Sequence, residues 1–264
     1  MRKEIIQELK DRGYNAEAQD IIKNGVLKEG IVLKTPKKNI SPTVYVDDFI
    51  RRGLSVDEAT DACIRIFESN SSVSFDIEKL FDRDFLLEHS FLGLQKTSEE
   101  DICRQPTDFE GIEQFIYVRI NIGDGLGSIK LTPVILDRAN VLYEEVLASA
   151  EKNTFAETKF VSITEMLGLP FEPDDSPSIT CVTNSSNTKG ASSILDKEKL
   201  KEYAKEHNTN RIIAIPSSIH EFIIMPCHDE DIDLDALSDL VNQVNAESVP
   251  PEEQLGTKAF VITV

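Results

Sequence analysis

The sequence predicts an α+β fold: a C-terminal β-α-β-β-α-β unit in ferredoxin-like order, preceded by a helical N-terminal part and a ββα unit. Three observations predict it. Apolar residues recur at helical spacing in some segments and alternate with polar ones in others. Beyond residue 178, β-type runs and amphipathic segments follow one another as strand, helix, strand, strand, helix, strand. The Pro- and acid-rich stretch Gly168–Pro177 separates that series from what precedes it. The chain therefore reads as an N-terminal α+β part over residues 1–170, with a helical segment at 55–93 and a hairpin at 114–136, and a C-terminal unit over 171–264.

Taken in order, residues 2–23 set Ile5, Leu9, Ile21 and Ile22 among charged side chains, which predicts a helix broken at Gly13 and resumed until Gly25. Gly30–Lys34 and Thr43–Val46 read as short strands around the polar loop Thr35–Asn39, with Ser41-Pro42 at a sheet edge. Ser55 followed by Glu58 forms a capping box, and Val56, Ala59, Cys63, Ile66 and Phe67 then share one helix face. Residues 76–93 read as a second amphipathic helix anchored by Leu80, Phe81, Phe85, Leu86 and Leu87, with His89 a surface residue near its end. Residues 95–111 read as a loop.

Gln114–Ile122 and Lys130–Leu136 read as strands. Between them, Gly123-Asp-Gly-Leu-Gly127 has the look of a phosphate loop, but a phosphate cradle opens onto a helix N-terminus. A segment that joins two strands is a hairpin turn. A helix is predicted over Arg138–Ala150, so that the hairpin and helix repeat the later ββα order, the pattern an internal duplication leaves. In the C-terminal unit the strands are Ile179–Thr183, Arg211–Ile215, Ile219–Met225 and Lys258–Val264, and the helices Asp196–His207 and Leu234–Ala246.

Composition bounds the function. With 264 residues, 40% apolar and 28% charged, the chain is of globular type. No apolar run approaches the roughly 18 residues of a membrane helix, and the N-terminal Met-Arg-Lys-Glu-Ile-Ile carries periodic charge where a signal peptide has an apolar core. A cytoplasmic protein is expected. Cys63, Cys103, Cys181 and Cys227 are scattered, so neither a disulfide framework nor a CxxC site is indicated. The net charge is −19. Basic residues outnumber acidic ones only in residues 1–52 (11 against 8), whereas 53–110 hold 5 against 14 and 171–264 hold 7 against 17. Repulsion from phosphates disfavours direct nucleic-acid binding. An acidic surface that competes for a nucleic-acid-binding protein, as an antidefence inhibitor would, fits the same charge.

The candidate site is Arg211–Pro226, two apolar runs joined by the polar corner Pro216-Ser-Ser-Ile-His-Glu221. Strand alternation would set Ser218 and His220 on one face and Glu221 on the other. A nucleophilic serine needs its hydroxyl within reach of an imidazole that a third group orients. Ser218 and His220 are thus the candidate catalytic pair, without an identifiable orienting acid and without the G-x-S-x-G elbow. The competing reading makes the corner a turn whose hydroxyls and imidazole satisfy backbone groups. A further reading is a binding patch of Ser217 and Glu221 with Asn184, Asn242 and Asn245. For metals, Cys227-His-Asp-Glu-Asp-Ile-Asp-Leu-Asp235 lacks a partner pair for zinc and lacks the glycine and terminal glutamate of a calcium loop. Acids at a helix N-terminus explain it more simply, and neither metal nor cofactor is expected.

Four groups of residues carry a family resemblance: Asn39-Ile-Ser-Pro-Thr-Val-Tyr-Val-Asp-Asp-Phe49; Val182-Thr-Asn184 with Gly190-Ala191; Ile215-Pro-Ser-Ser-Ile-His-Glu221; and Val244-Asn245 with Glu253 and Leu255. In this order they resemble a bacterial family known only as domain-of-unknown-function family 5688, common among gut Clostridia. The resemblance implies a bacterial protein and supplies no established activity to carry over. The expectation is a non-enzymatic interaction or regulatory protein whose partner is another protein, with a Ser/His hydrolase as the alternative from a different class. Sequence sets no oligomeric state.

Overall fold

In the computed structural model, which describes residues 1–34, 41–70, 74–122, 125–166, 168, 178–228 and 232–264, contacts divide the chain into two units. One comprises Met1–Lys79 with Ile120–Gly127, the other Leu80–Arg119 with Ser128–Val264. The loop Thr35–Asn39 and nearly all of Gly168–Pro177 lie outside the described residues.

In the first unit, helix α1 (Arg2–Asp11) buries Ile5 and Leu9. The second half of the predicted helix is instead a strand, β1 (Ala16–Lys23), antiparallel to β2 (Val26–Leu33). Lys23 faces Val26, which leaves the two-residue turn Asn24-Gly25, both residues left-handed at φ 49° and 78°. Asn-Gly is the strongest short hairpin signal, because a tight hairpin turn that follows strand twist needs two positive φ values. That turn, with eight paired residues on each strand, outweighs the helical spacing of Ile21 and Ile22. Strand β3 (Thr43–Tyr45) adds to β2, and α2 (Val46–Arg51) and α3 (Val56–Ser69) follow. The Ser55 capping box forms as expected, with the Glu58 N–H donating to Ser55 Oγ and the Ser55 N–H to Glu58 Oε2. Ile5, Leu9, Ile31, Val44, Phe49, Ala59, Cys63 and Phe67 make the core.

The second unit begins with α4 (Arg83–His89), capped by Asp82. The predicted helix 76–93 ends there, and Ser90–Lys96 is a strand, β4. It pairs along its whole length with β6 (Ile112–Ile122) and is nearly all buried. Gly93 belongs in that strand: a Cβ there would lie 2.6 Å from the Phe115 ring opposite. Strands β5 (Arg104–Pro106) and β7 (Gly125–Lys130) also pair with β6. The predicted strand 130–136 is a second correction. After Lys130, the Thr132 hydroxyl caps α5 (Pro133–Ala139), with Pro133 in the first turn, where its missing N–H costs nothing. Helix α6 then spans Tyr143–Ala156, later than the predicted 138–150.

A five-stranded antiparallel sheet follows, comprising β8 (Thr158–Ser162), β9 (Thr180–Asn184), β10 (Arg211–Pro216), β11 (Phe222–Pro226) and β12 (Phe260–Thr263). Helix α7 (Ile163–Met166), a buried 3-10 segment (Gly190–Leu195), α8 (Lys197–Glu206) and α9 (Leu234–Ser248) connect them. From β9 onward the predicted strands and helices occur in the predicted chain order, but their pairing is not ferredoxin-like. A ferredoxin-like unit sets its first strand between the third and fourth. Here the spatial order is β12-β10-β11-β9-β8, with β9 between β11 and β8. The cause is local: β10 and β11 form a hairpin, β12 returns to the free side of β10, and β8 covers β9. Phe222, Ile224, Val182, Ile212, Ala214, Leu200 and Tyr203 centre the core.

All four cysteines are buried, and none is in a disulfide. Burial pushes the Cys63 thiol up to about 12, and those of Cys103 and Cys181 up to about 11. Since the thiolate is the reactive form, iodoacetamide at pH 8 is expected to leave these three unlabelled in the native protein and to label them fully in denaturant. Mass spectrometry of the alkylated chain reads the result.

Candidate functional site

Strand β10 ends at Pro216 and β11 begins at Phe222, so residues 217–221 connect the strands instead of extending one. Strand alternation does not apply there, and the separation of Glu221 from the serines is overturned. Ser217 Oγ and Ser218 Oγ both donate to Glu221 Oε1, at 3.0 and 2.8 Å. The Ser218 N–H donates to the Glu221 carbonyl, and the His220 N–H donates to Ser218 Oγ at 3.0 Å. Proline is suited to the start of this turn, since it offers no N–H that would need a partner.

Three other segments close on the corner. The His220 carbonyl accepts from Thr183 Oγ1 at 2.9 Å, and its Nδ1 accepts the Lys189 N–H at 3.1 Å. Lys189 can point that N–H inward because it sits in the left-handed region at φ 53°, just ahead of the 3-10 segment. The Ala191 N–H reaches the Ile219 carbonyl, and the Ile219 N–H donates to the Glu253 carbonyl at 2.8 Å. Glu253 Oε1 lies 3.9 Å from His220 Nε2.

These bonds decide what the imidazole can do. With Nδ1 accepting from Lys189, the neutral ring carries its proton on Nε2, on the Glu253 side. It has no free lone pair with which to take a proton from Ser218, whose hydroxyl is directed at Glu221. The structure thus brings Ser217, Ser218, His220 and Glu221 together, but joins each serine hydroxyl to the carboxylate and the imidazole to the backbone.

The asparagines serve neighbouring loops. Asn184, 4% exposed, accepts from the Ser186 and Thr188 N–H groups through Oδ1 and donates to the Thr188 carbonyl through Nδ2. Asn245, also buried, donates from α9 to the Gly256 carbonyl, and Gln254 Nε2 donates to the Asn245 carbonyl. Asn242 is exposed on the same helix. Among the described residues no group of three or more His, Cys, Asp or Glu is placed to hold a metal; residues 229–231 of the acidic run lie outside them.

Gly190 makes the close approach possible. A Cβ there would lie 2.7 Å from both the Asn184 nitrogen and the His220 carbonyl oxygen, and against Thr183 Oγ1. Two of these atoms are backbone and cannot rotate away. Gly190→Ala is therefore expected to cost about 1–3 kcal/mol in denaturant unfolding, the range for overpacking a filled site.

Sequence reasoning missed Lys189 and Thr183 as corner partners, and it missed a second cluster altogether. Glu113, only 2% exposed on β6, accepts from Gln95 Nε2 (2.8 Å), Ser98 Oγ (2.9 Å) and Arg104 Nη1 (2.8 Å). Lys130 joins Gln95 Oε1 to Glu100. The available signal was Glu113-Gln114 directly ahead of the apolar run Phe115-Ile-Tyr-Val118 in the same strand.

The model of a family described as "Family of unknown function (DUF5688)" matches residues 1–261. No curated protein and no solved structure matches. The C-terminal segments that carry the resemblance meet in space: Val182–Asn184 and Gly190-Ala191 against the 215–221 corner, and Glu253 on Ile219, while Leu255 is buried in the core beneath. No helix among the described residues is long and apolar enough to cross a membrane.

Proposed function

We propose that this chain, which belongs to the DUF5688 family, is a non-enzymatic cytoplasmic module that binds another protein. The observation that supports the reading best is how the corner uses its reactive groups. The Ser218 hydroxyl is given to Glu221 and the one basic nitrogen of His220 to Lys189, so the polar side chains hold segments in place instead of confronting a substrate. Four buried cysteines outside any disulfide suit a reducing compartment.

The surface beside the corner supplies the contact. Helix α9 buries Val241 and Asn245 but leaves Leu240 and Val244, one turn apart, 54% and 45% exposed. The 253–256 segment joins that helix to the corner through Asn245 and Ile219. Single exposed apolar residues are ordinary, but a contiguous apolar patch rimmed by polar residues marks an interaction surface, and Leu240 and Val244 are neighbours on one helix face.

Two measurements test the reading. Cross-linking capture from lysate of the source cells is expected to yield a partner that the Leu240→Glu/Val244→Glu variant loses without change in melting temperature. Turnover of p-nitrophenyl acetate by the wild-type chain, abolished in both Ser218→Ala and His220→Ala variants that fold normally, would overturn it in favour of a hydrolase.

A further inference from the structure

Strand β12 is the edge of the five-stranded sheet, with no strand on its outer side among the described residues. The Val264 N–H donates to the Asn210 carbonyl, and Ile262 faces Ile212 while Phe260 faces Ala214. Antiparallel pairing alternates, so Phe260 and Ile262 spend their backbone groups on β10, while the N–H and C=O groups of Val261 and Thr263 face outward. Beside this edge runs a groove of about 410 Å³. Its apolar floor includes Phe109, Leu200, Phe260 and Ile262, and two lysines of α8, Lys197 and Lys201, line its side, with Asp108 the one acid.

We infer that this edge and groove form a docking site for an extended acidic segment of another protein, which adds as a further strand to β12. The outward backbone groups supply the ladder, and the groove takes the apolar side chains that alternate along the inner face of an added strand. The lysines select the occupant. They are one helical turn apart in a chain of net charge −19; Lys201 holds only the exposed Glu198, and Lys197 has no ion-pair partner among the described residues. A carboxylate on the incoming segment meets both. A second copy of this chain fits worse, because continuing the sheet across a two-fold axis would set the lysines of both α8 helices along one seam. The inference rests on the reading of the chain as a protein-binding module but uses a surface other than α9.

Fluorescence anisotropy with the purified chain tests it, using a labelled library of eight-residue peptides in which Val, Ile or Leu occupies alternate positions and Asp, Thr or Lys the others. Peptides carrying Asp are expected to bind, and Lys197→Glu/Lys201→Glu to weaken them at least tenfold. Val261→Pro removes an outward N–H without touching a β10 bond, and proline is tolerated at such edge positions, so it should abolish binding while the chain stays folded by circular dichroism. Backbone N-methylation of the best peptide should do the same. Equal binding of Asp and Lys peptides, undiminished binding of the N-methylated peptide, or no binder in the library below about 1 mM would each overturn the inference. Peptide binding retained in Leu240→Glu/Val244→Glu separates this surface from the one on α9.

Discussion

Glu113→Ala is expected to destabilise the second unit by about 3 kcal/mol, the low end of what removing one partner from a buried ion pair costs. Three donors converge on that carboxylate from Gln95, Ser98 and Arg104, and the side chain of Glu113 is only 3% exposed. Truncation would remove one of the two acceptors of Gln95 Nε2, which keeps Ser98 Oγ at 3.0 Å, and would leave the Arg104 guanidinium without its carboxylate. A buried donor that loses its acceptor costs about 1–3 kcal/mol. Arg104 is 30% exposed, so its guanidinium can recover water, which keeps the effect from reaching the top of the range. Paired charges pay a desolvation cost that an apolar pair does not. The double variant Glu113→Leu/Arg104→Met is therefore expected to be more stable than Glu113→Ala alone. Urea unfolding followed by circular dichroism checks both, and a loss below about 1 kcal/mol for Glu113→Ala would show that the cluster is not held as described.

The contrast between this cluster and the Ser55 capping box shows which parts of the chain were legible. A cap is written within four residues, and the long helices α3, α8 and α9 with the strands β9, β10 and β12 come from periodicity over a single segment, so the sequence locates them within a few residues. Sheet membership depends on partners. Residues 90–96 continue an apolar run out of α4 and become a strand only because β6 lies alongside, with room for the Phe115 ring over Gly93. Strand β8 is short and half-exposed, with no alternation to mark it. The spatial order of β9 to β12 is likewise set by which edge each connection reaches, and several orders share one chain order.

The corner's residues are bonded otherwise than strand alternation predicts. Its Ser/His/Glu content is compact in sequence, but the bonds depend on where β11 starts, and a strand running from Ile219 would have pointed Glu221 away from Ser218. Starting at Phe222 instead curls the five connecting residues so that one carboxylate meets two hydroxyls. Lys189 lies 31 residues from His220 in sequence and reaches its imidazole through a main-chain N–H. A backbone donor leaves no trace in residue identity, and only the left-handed turn at Lys189 brings it there.

Phe222 connects that corner to the core, and Phe222→Ala is expected to cost about 3–5 kcal/mol, the range for removing a buried aromatic ring. The side chain is 0% exposed, with the Phe109 ring 5.2 Å away and Phe260 a further 5.1 Å beyond Phe109. For a unit of this size each kcal/mol moves the melting temperature by about 2–4 °C, so a drop on the order of 10 °C should be seen by calorimetry. Phe109 and Phe260 also floor the groove beside β12. A cavity behind them would let both rings shift, so peptide binding at that edge should weaken in Phe222→Ala even below its melting temperature. Phe222→Leu keeps most of the volume and should cost under about 1.5 kcal/mol, with binding retained. If instead both variants bound peptide as the wild type does, the floor of the groove would be independent of the ring stack, and the docking edge would rest on the backbone of β12 and the two lysines alone.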